Sequence, residues 1–383
     1  MRRFVVEPDN VLEVFKTVQK KSLISRTEIA KITKLSPSTV GRCTQRLLDK
    51  NFFVEKRVGK SSGGRPPILL DINRENCFSV GIEVGESHID AVLLNLVNEI
   101  IESNSKRFSN HLSPDALADD IKNMIDELIV KAQISEEDII SVGLGLPGIV
   151  GANQKRLLLS PNLKWENVEM ASLLESKLNK PVFLDNGANL MTFAEYHFNK
   201  LPSNAMVLGI IVGRGIGTGL VVKESIFRGV NGAALEAGHS VIKTDGPLCS
   251  CGRRGCAEAL ASLPRLIESY NKQSKSKKID NVKELNDLFL KKDKLAVELI
   301  NEEAYYLSVL SANLANIFNP SHIIIGGEIS PILPLMIKTI NDSFLEQVLI
   351  TNRCELMTSH LNEKSIAYGA AIMAIEKEIE GYI

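Results

Sequence analysis

The sequence predicts an α/β protein in which an N-terminal winged helix-turn-helix precedes a duplicated two-lobe body. Three observations point there. Residues 1–75 are strongly basic and read as three short helices followed by two alternating strands. From Cys77 onward a strand–turn–strand–turn–strand plan appears, and it recurs from Ala205. Beyond the second copy lies a dense run of one histidine and three cysteines, His239, Cys249, Cys251 and Cys256.

The head is justified element by element. Val11, Leu12, Val14, Phe15 and Val18 give an amphipathic first helix starting near Asp9. Ser25 caps a second helix, Glu28 completes a capping box three residues on, and Ile29, Ala30 and Ile32 form the expected inner face. Lys34 and Leu35 make the turn. Ser36 then caps a third helix, with Pro37 at its first position, where a missing N–H costs nothing. On that helix Val40, Cys43 and Leu47 are expected inward, leaving Ser38, Thr39, Arg42, Gln45 and Arg46 outward. A helix-turn-helix reads base edges with the first half of its second helix, through short polar and Arg/Gln side chains, so these five are the candidate DNA contacts. Phe52–Lys56 and Ile68–Asp71 alternate as two strands joined by a basic, glycine-rich wing that offers Lys60 and Arg65 to phosphates or a minor groove. A solvated three-helix interaction module is the alternative, and the basic wing weighs against it.

Composition agrees with a soluble chain of several domains. At 383 residues there is length for two or three full cores. The net charge of -1 hides an asymmetry: residues 1–75 hold 16 Lys+Arg against 8 Asp+Glu, and the remainder is acidic. A basic head on an acidic body suits a polyanion-binding module joined to a separate domain. No apolar run approaches a spanning helix, and Met-Arg-Arg-Phe opens no signal-peptide core. Clustered cysteines without a secretory signal argue for a reducing cytoplasm. Cys43, Cys77 and Cys354 read as ordinary small buried residues.

In the body, Phe78–Val84, His88–Leu96 and Glu99–Arg107 follow the three-strand plan, and Ala205–Val212, Gly217–Val222 and Ser225–Arg228 repeat it. Amphipathic helices near Pro114–Ala132 and Val168–Leu178 and strands at Ser141–Gly145 and Val182–Asp185 lie between them. A duplicated α/β body puts a cleft between lobes, where a small ligand can be enclosed. The expected boundaries are 1–73 for the head and 74–383 for the body. Within the body, lobe 1 takes about 74–195 plus a C-terminal helix near 365–383, and lobe 2 about 196–364.

The histidine and cysteines stand in Glu236-Ala-Gly-His239 and Cys249-Ser-Cys251-Gly-Arg-Arg-Gly-Cys256-Ala-Glu258. Three thiolates and one imidazole complete a closed tetrahedral Zn2+ shell with no position left for water, which makes the site structural. Gly252 and Gly255 let the backbone turn sharply enough for the sulfurs to converge. Such a site fixes the loop carrying Glu236 and Glu258, two carboxylates suited to accept hydrogen bonds from a polyol. Three unrelated cysteines beside a surface histidine are the bland alternative, and the glycine-punctuated density weighs against it.

These motifs resemble the signature of the ROK family of sugar kinases and sugar-responsive repressors, matched here without a gap. The head, with its Ser-Gly-Gly-Arg-Pro-Pro wing, resembles that of the family's repressors, which its kinases lack. The resemblance runs from the first helix to Gly369-Ala-Ala. It implies a ribonuclease-H-like, actin-type architecture for the two-lobe sugar-binding body, with a final helix packing back on the first lobe. It implies Zn2+ on His239, Cys249, Cys251 and Cys256, and sugar contacts from Asn186, Glu236, His239 and Glu258. Gly148 would line the cleft. Ser160–Trp165 resembles the family's Pro-Asn loop near the sugar, with Trp165 either a stacking face for a pyranose or a lobe anchor.

Against the family's kinases the chain departs at three places. Their first phosphate loop reads Asp-x-Gly-Gly-Thr; here it is Glu83-Val-Gly85-Glu86-Ser87, and Glu86 would repel a triphosphate. The second loop, Gly213 to Gly219, carries Arg214 where threonine is usual. The third departure weighs most. The kinases carry Asn-Asp-Ala-Asn at the sugar with the aspartate as general base, whereas this chain has Asn186-Gly187-Ala188-Asn189. A glycine cannot take a proton, and losing a positioned base removes about two to four orders of magnitude in rate. Asp185, two residues away, is the one conceivable substitute, and Gly326-Gly327 reads as surviving fold structure. Gly187 also removes a partner for the primary hydroxyl of a hexose, a hint toward a pentose. The expectation is a non-catalytic, cytoplasmic repressor whose partners are operator DNA and a small sugar inducer, working as a homodimer or tetramer with no membrane part. The alternative is an ATP-dependent sugar kinase with a fused DNA-binding head. The inducer stays open among xylose, glucose, N-acetylglucosamine, an oligosaccharide and a sugar phosphate.

Overall fold

The computed structural model describes residues 8–57, 68–85, 87–108, 113–275 and 278–381. The head comprises α1 (Pro8–Lys21), β1 (Ile24–Ser25), α2 (Arg26–Thr33), α3 (Pro37–Asp49), β2 (Phe53–Arg57) and β3 (Ile68–Ile72). The capping box forms: Glu28 N donates to Ser25 Oγ at 3.3 Å and Ser25 N donates to Glu28 Oε2 at 3.0 Å. Lys34 ends α2 in the left-handed region, and Ser36 caps α3 by accepting from Thr39 N at 3.1 Å. β3 pairs antiparallel with both β1 and β2. β1 is two residues long, too short to carry a sequence period. The inner face of α2 differs from expectation. Ile29 is fully buried, but Ile32 is 50% exposed, and Thr33 turns inward with its hydroxyl donating to Ile29 O at 2.8 Å. Residues 29 and 33 share a face at i, i+4, and the satisfied hydroxyl removes the cost of burying threonine. The wing tip with Lys60 and Arg65 lies outside the described residues.

The body continues with β4 (Phe78–Val84), β5 (His88–Asn95), β6 (Ile100–Arg107), α4 (Pro114–Ala132), β7 (Ile139–Leu146), β8 (Ile149–Val150), β9 (Leu157–Ser160), β10 (Trp165–Val168), α5 (Met170–Leu178) and β11 (Val182–Asn186). Next come α6 (Gly187–Phe198), β12 (Met206–Val212), β13 (Ile216–Val222), β14 (Ser225–Ile226), α7 (Ala257–Ala261), α8 (Leu263–Gln273) and α9 (Val282–Leu290). The chain closes with α10 (Lys294–Phe318), β15 (His322–Gly326), α11 (Leu333–Gln347), β16 (Glu355–Thr358) and α12 (Ser365–Gly381).

One five-stranded sheet runs β11-β7-β4-β5-β6 and the other β16-β15-β12-β13-β14, so the two share one topology. In each, a hairpin pairs antiparallel (β4 with β5, β12 with β13) and a later strand joins the hairpin's first strand in parallel (β7 on β4, β15 on β12). Parallel addition needs a crossover, and a helix supplies it in each copy. The strand-level duplication read from the sequence is therefore present.

Two compact units divide the chain. The first takes residues 1–148, 153–185 and 370–383. Here the head shares a core with the end of α12: Val11, Val14, Phe15 and Val18 of α1 bury in one cluster with Ile375 and Ile379. Lys16 Nζ meets Glu376 Oε1 at 2.8 Å, and Gln19 Nε2 donates to Leu96 O at 2.7 Å. The second unit takes residues 149–152 and 186–369. Its core forms where α10 packs on α11, α7 and α8 beside β12 and β15, with Leu299, Ile300, Leu307, Leu310 and Leu314 as a buried stripe at helical spacing. α12 is one unbroken helix whose first residues, 365–369, belong to the second unit and whose remainder belongs to the first. No helix among the described residues is long and apolar enough to cross a membrane.

Candidate sugar and metal site

The second unit gathers most of the candidate residues around one strand. Gly217 and Gly238 make this possible by letting two elements press on β13. A side-chain carbon at Gly217 would lie 3.0 Å from Ala188 Cβ in the first turn of α6, and one at Gly238 would overlap Ile216 O. Asn186, the N-cap of α6, and the short turn Ala237–His239 are thus both anchored on neighbouring residues of β13. Asn186 Oδ1 accepts from Ala188 N at 2.8 Å.

His239, Cys249, Cys251 and Cys256 converge, with all four ligand atoms within 4.8 Å of one another. His239 Nδ1 lies 3.5 Å from Cys249 Sγ, and Cys251 Sγ lies 3.7 Å from Cys256 Sγ, so no sulfur pair is bonded. The donor set fits Zn2+. Hydrogen bonds from Arg253, first from its backbone and then its side chain, pull Cys251 down to about 6, while burial and the neighbouring thiols push Cys256 up to about 12. Protein groups alone do not hold three such sulfurs as thiolates together, and a dication does. Gly252 and Gly255 sit at φ 87° and 74°, conformations that favour glycine, and a side chain at Gly255 would overlap Lys243 O.

The two candidate carboxylates are tied to this cluster. Glu258, at the start of α7, accepts from Ser250 Oγ at 3.1 Å and lies 3.9 Å from His239 Nδ1. Its other oxygen accepts from Ile216 N at 3.3 Å. Glu236 is exposed as a residue, yet burial of its carboxyl among neighbouring protein atoms raises its pKa, with His239 opposing and Glu258 adding to the rise. Because His239 turns Nδ1 toward the sulfurs, its second ring nitrogen is the one available to a ligand.

Several of the glycines in these loops are closely covered by the chain's own side chains. A side chain at Gly85 would overlap the His88 imidazole, which sits 3.6 Å from Glu83 Oε1 and 3.5 Å from Asp90 Oδ2. In the second glycine loop, a carbon added at Gly215 would lie 2.5 Å from Glu258 Oε2, and one at Gly213 would lie 3.0 Å from Glu328 Oε1. At Gly187 the added carbon meets Ile366 Cδ1 at 3.1 Å. Glu328, His88 and Ile366 escaped the sequence reading. A carboxylate directly after Gly326-Gly327 was the available signal for Glu328; Ile366 joins Gly187 across 179 positions of chain, and no local pattern announces that. Glu86 lies outside the described residues. Asp185 is 2% exposed with Gln154 Nε2 at 3.5 Å, so its carboxylate is enclosed in the first unit. Trp165, also in that unit, is half-buried opposite Ser160 in the β9–β10 hairpin.

On α3, Ser38, Arg42, Gln45 and Arg46 are exposed and Thr39 is half-buried. The hydroxyls of Ser38 and Thr39 each lie 2.9 Å from Ser36 Oγ, which gathers them at the helix start, and Gln45 Nε2 donates to Asp49 Oδ1 at 2.8 Å. Arg26 braces the motif, donating from Nε to Thr44 Oγ1 at 3.1 Å and from Nη2 to Glu55 Oε1 at 2.9 Å. The inward expectation for Val40, Cys43 and Leu47 holds, and Thr44 joins them.

Comparison with known proteins agrees with this arrangement. A winged helix-turn-helix DNA-binding model matches residues 9–53, and the ROK family model matches residues 79–377. The chain is 32% identical over 365 residues to the xylose repressor of Bacillus spizizenii, covering 95% of this chain and 94% of the relative. Among solved structures, a ROK family transcriptional regulator described as a homolog of the E. coli MLC protein superposes with a TM-score of 0.84 at 24% identity, over 98% of this chain and 97% of that one. A ROK family glucokinase from Streptomyces griseus, solved with glucose and AMPPNP, superposes with a TM-score of 0.70 at 24% identity, over 78% of this chain and 99% of that one. The chain belongs to the ROK family, with an N-terminal winged helix-turn-helix joined to the family's actin-like α/β domain.

Proposed function

We propose that this protein is a cytoplasmic transcriptional repressor that holds operator DNA through its head and releases it when a small neutral sugar, a pentose such as xylose, binds the body. The repressor name of its Bacillus spizizenii relative supports the class and the sugar. In this reading residues 1–73 work as the DNA-binding head and 74–383 as the sensor. Asn186, Glu236, His239 and Glu258 hold the ring hydroxyls; a polyol offers both donors and acceptors, which an amide, an imidazole and two carboxylates match. His239, Cys249, Cys251 and Cys256 would hold Zn2+, which when bound supplies a structural cross-link. The chain's own part is to aim Glu236 and Glu258 from that braced loop.

One observation carries the coupling: α12 begins with Ile366 against Gly187 and ends with Ile375 and Ile379 in the core of the head. A helix is stiff over this length, so a change at its start is felt at its end. Sugar binding would shift the population of head arrangements by its differential affinity for them. Two heads on a two-fold axis are needed, because one recognition helix reads too few bases, and this makes a homodimer the minimal working form.

The reading includes no phosphoryl transfer. Gly187 stands where the kinases resembled carry their aspartate base, and a glycine cannot take a proton. Incubating the full chain with Mg-ATP and a panel of aldoses, xylose and glucose among them, should release ADP at background rate. Sustained turnover with any aldose would overturn this part and favour a kinase with a fused head.

A further inference from the structure

We infer that Ile366 sets the choice between pentose and hexose, by closing with hydrocarbon the space that opens from the α-carbon of Gly187. The inference rests on the reading above, in which Asn186 faces the sugar. Gly187 follows Asn186 directly and begins α6. A carbon placed on Gly187 would have Ile366 Cδ1 at 3.1 Å, Cγ1 at 3.8 Å and Cγ2 at 3.9 Å as its three nearest neighbours, and none of them is polar. Ile366 is 8% exposed, so its side chain is confined by packing. The start of its helix is fixed as well: Ser365 Oγ donates to Asn362 O at 2.8 Å.

The space off the Gly187 α-carbon is therefore filled by hydrocarbon. A pentopyranose presents a ring CH2 where an aldohexopyranose carries an exocyclic CH2OH. With that edge toward Gly187, a pentose meets Ile366 through C–H bonds alone. A hexose in the same pose must push against Cδ1 and bury a hydroxyl that finds no partner, and both effects disfavour it. Other hydroxyls are common to the two sugars and do not discriminate. The selective element is thus a side chain supplied from the far end of the sequence, on the same helix that reaches the head.

The test is calorimetric titration of the full-length, zinc-loaded chain with D-xylose and with D-glucose, for the wild type, Ile366→Val and Ile366→Ala. The valine variant trims only the Cδ1 position that lies nearest Gly187, so it keeps the test available even where the alanine variant fails to fold. The wild type should favour xylose. Ile366→Val should narrow the preference, and Ile366→Ala should narrow it further, by about tenfold or more, through a gain in glucose affinity. A wild type that takes xylose, beside folded variants that keep its xylose-to-glucose ratio, overturns this inference alone. A wild type that takes neither sugar overturns the sugar reading, and this inference with it.

Discussion

Replacing Arg42 and Arg46 together with alanine is expected to weaken operator binding by about a hundredfold or more, since each base or phosphate contact contributes about 1–3 kcal/mol. Both residues are exposed on α3, one turn apart, while Val40, Cys43, Thr44 and Leu47 of the same helix are buried. Their truncation removes positive charge and reach without opening the core, so thermal stability should stay within the small range of surface substitutions, about ±0.5 kcal/mol. Sugar binding, which the proposed function assigns to residues of the second unit, should be unchanged. Filter binding or anisotropy against a labelled operator measures the loss, and calorimetry with sugar measures the control. If the double variant keeps wild-type operator affinity, α3 is not the reading helix. Salt supplies a second readout, because removing phosphate contacts lowers the slope of log affinity against log salt.

If the proposed Zn2+ site is filled, treatment with a chelator or Cys256→Ser is expected to blunt the sugar response while sparing DNA binding. Cys256 is fully buried, its sulfur donates to His239 O at 3.3 Å, and α7 with Glu258 follows directly. Losing one of the three sulfurs releases the segment that aims Glu258 and His239, and disturbed supporting shells weaken affinity by about 10–100-fold. The core that the head shares with the end of α12, where Phe15 stacks on Phe53 at 6.1 Å, includes no residue of the cysteine loop. A metal-free chain that still leaves its operator at wild-type sugar concentrations would contradict the structural role given to the cluster. Adding Zn2+ back should restore the chelated protein, and it should not restore Cys256→Ser.

Much of this architecture is legible in the residues because local chemistry decides it. Ser25 with Glu28 and Ser36 with Pro37 set two helix starts without help from the rest of the chain, and both caps form as read. The convergence of His239 with Cys249, Cys251 and Cys256 is legible for the same reason: the three cysteines and two glycines sit within eight positions, and only one distant histidine has to be brought in. The repeated strand–turn–strand plan exposes the two hairpins, and the repeated order of the sheets follows once each hairpin is recognised. What stays hidden is whatever depends on a partner far along the chain. Ile32 has the right residue type for the inner face of α2, but the packing of three helices selects Thr33 instead. Ile366 carries no motif, and only the fold brings it to Gly187. Glu195, wholly buried on α6, accepts from Ser359 Oγ at 2.6 Å and Leu361 N at 2.9 Å and so secures the approach to α12; a lone glutamate in a helical pattern gives no sign of that task. The resemblance implies a final helix packed on the first lobe, but nothing local shows that its end shares one core with α1.

The central claim is that one chain holds DNA and lets go on binding a sugar, and fluorescence anisotropy tests it most directly. The full-length protein is titrated onto labelled DNA from upstream of its own gene at one fixed salt concentration, alone and with saturating D-xylose, with D-glucose as comparison. The account predicts specific binding that weakens by about tenfold or more with xylose, within the usual range of allosteric coupling, and far less with glucose. Specific binding that no sugar alters, or no preference for that DNA over an unrelated duplex, would contradict it.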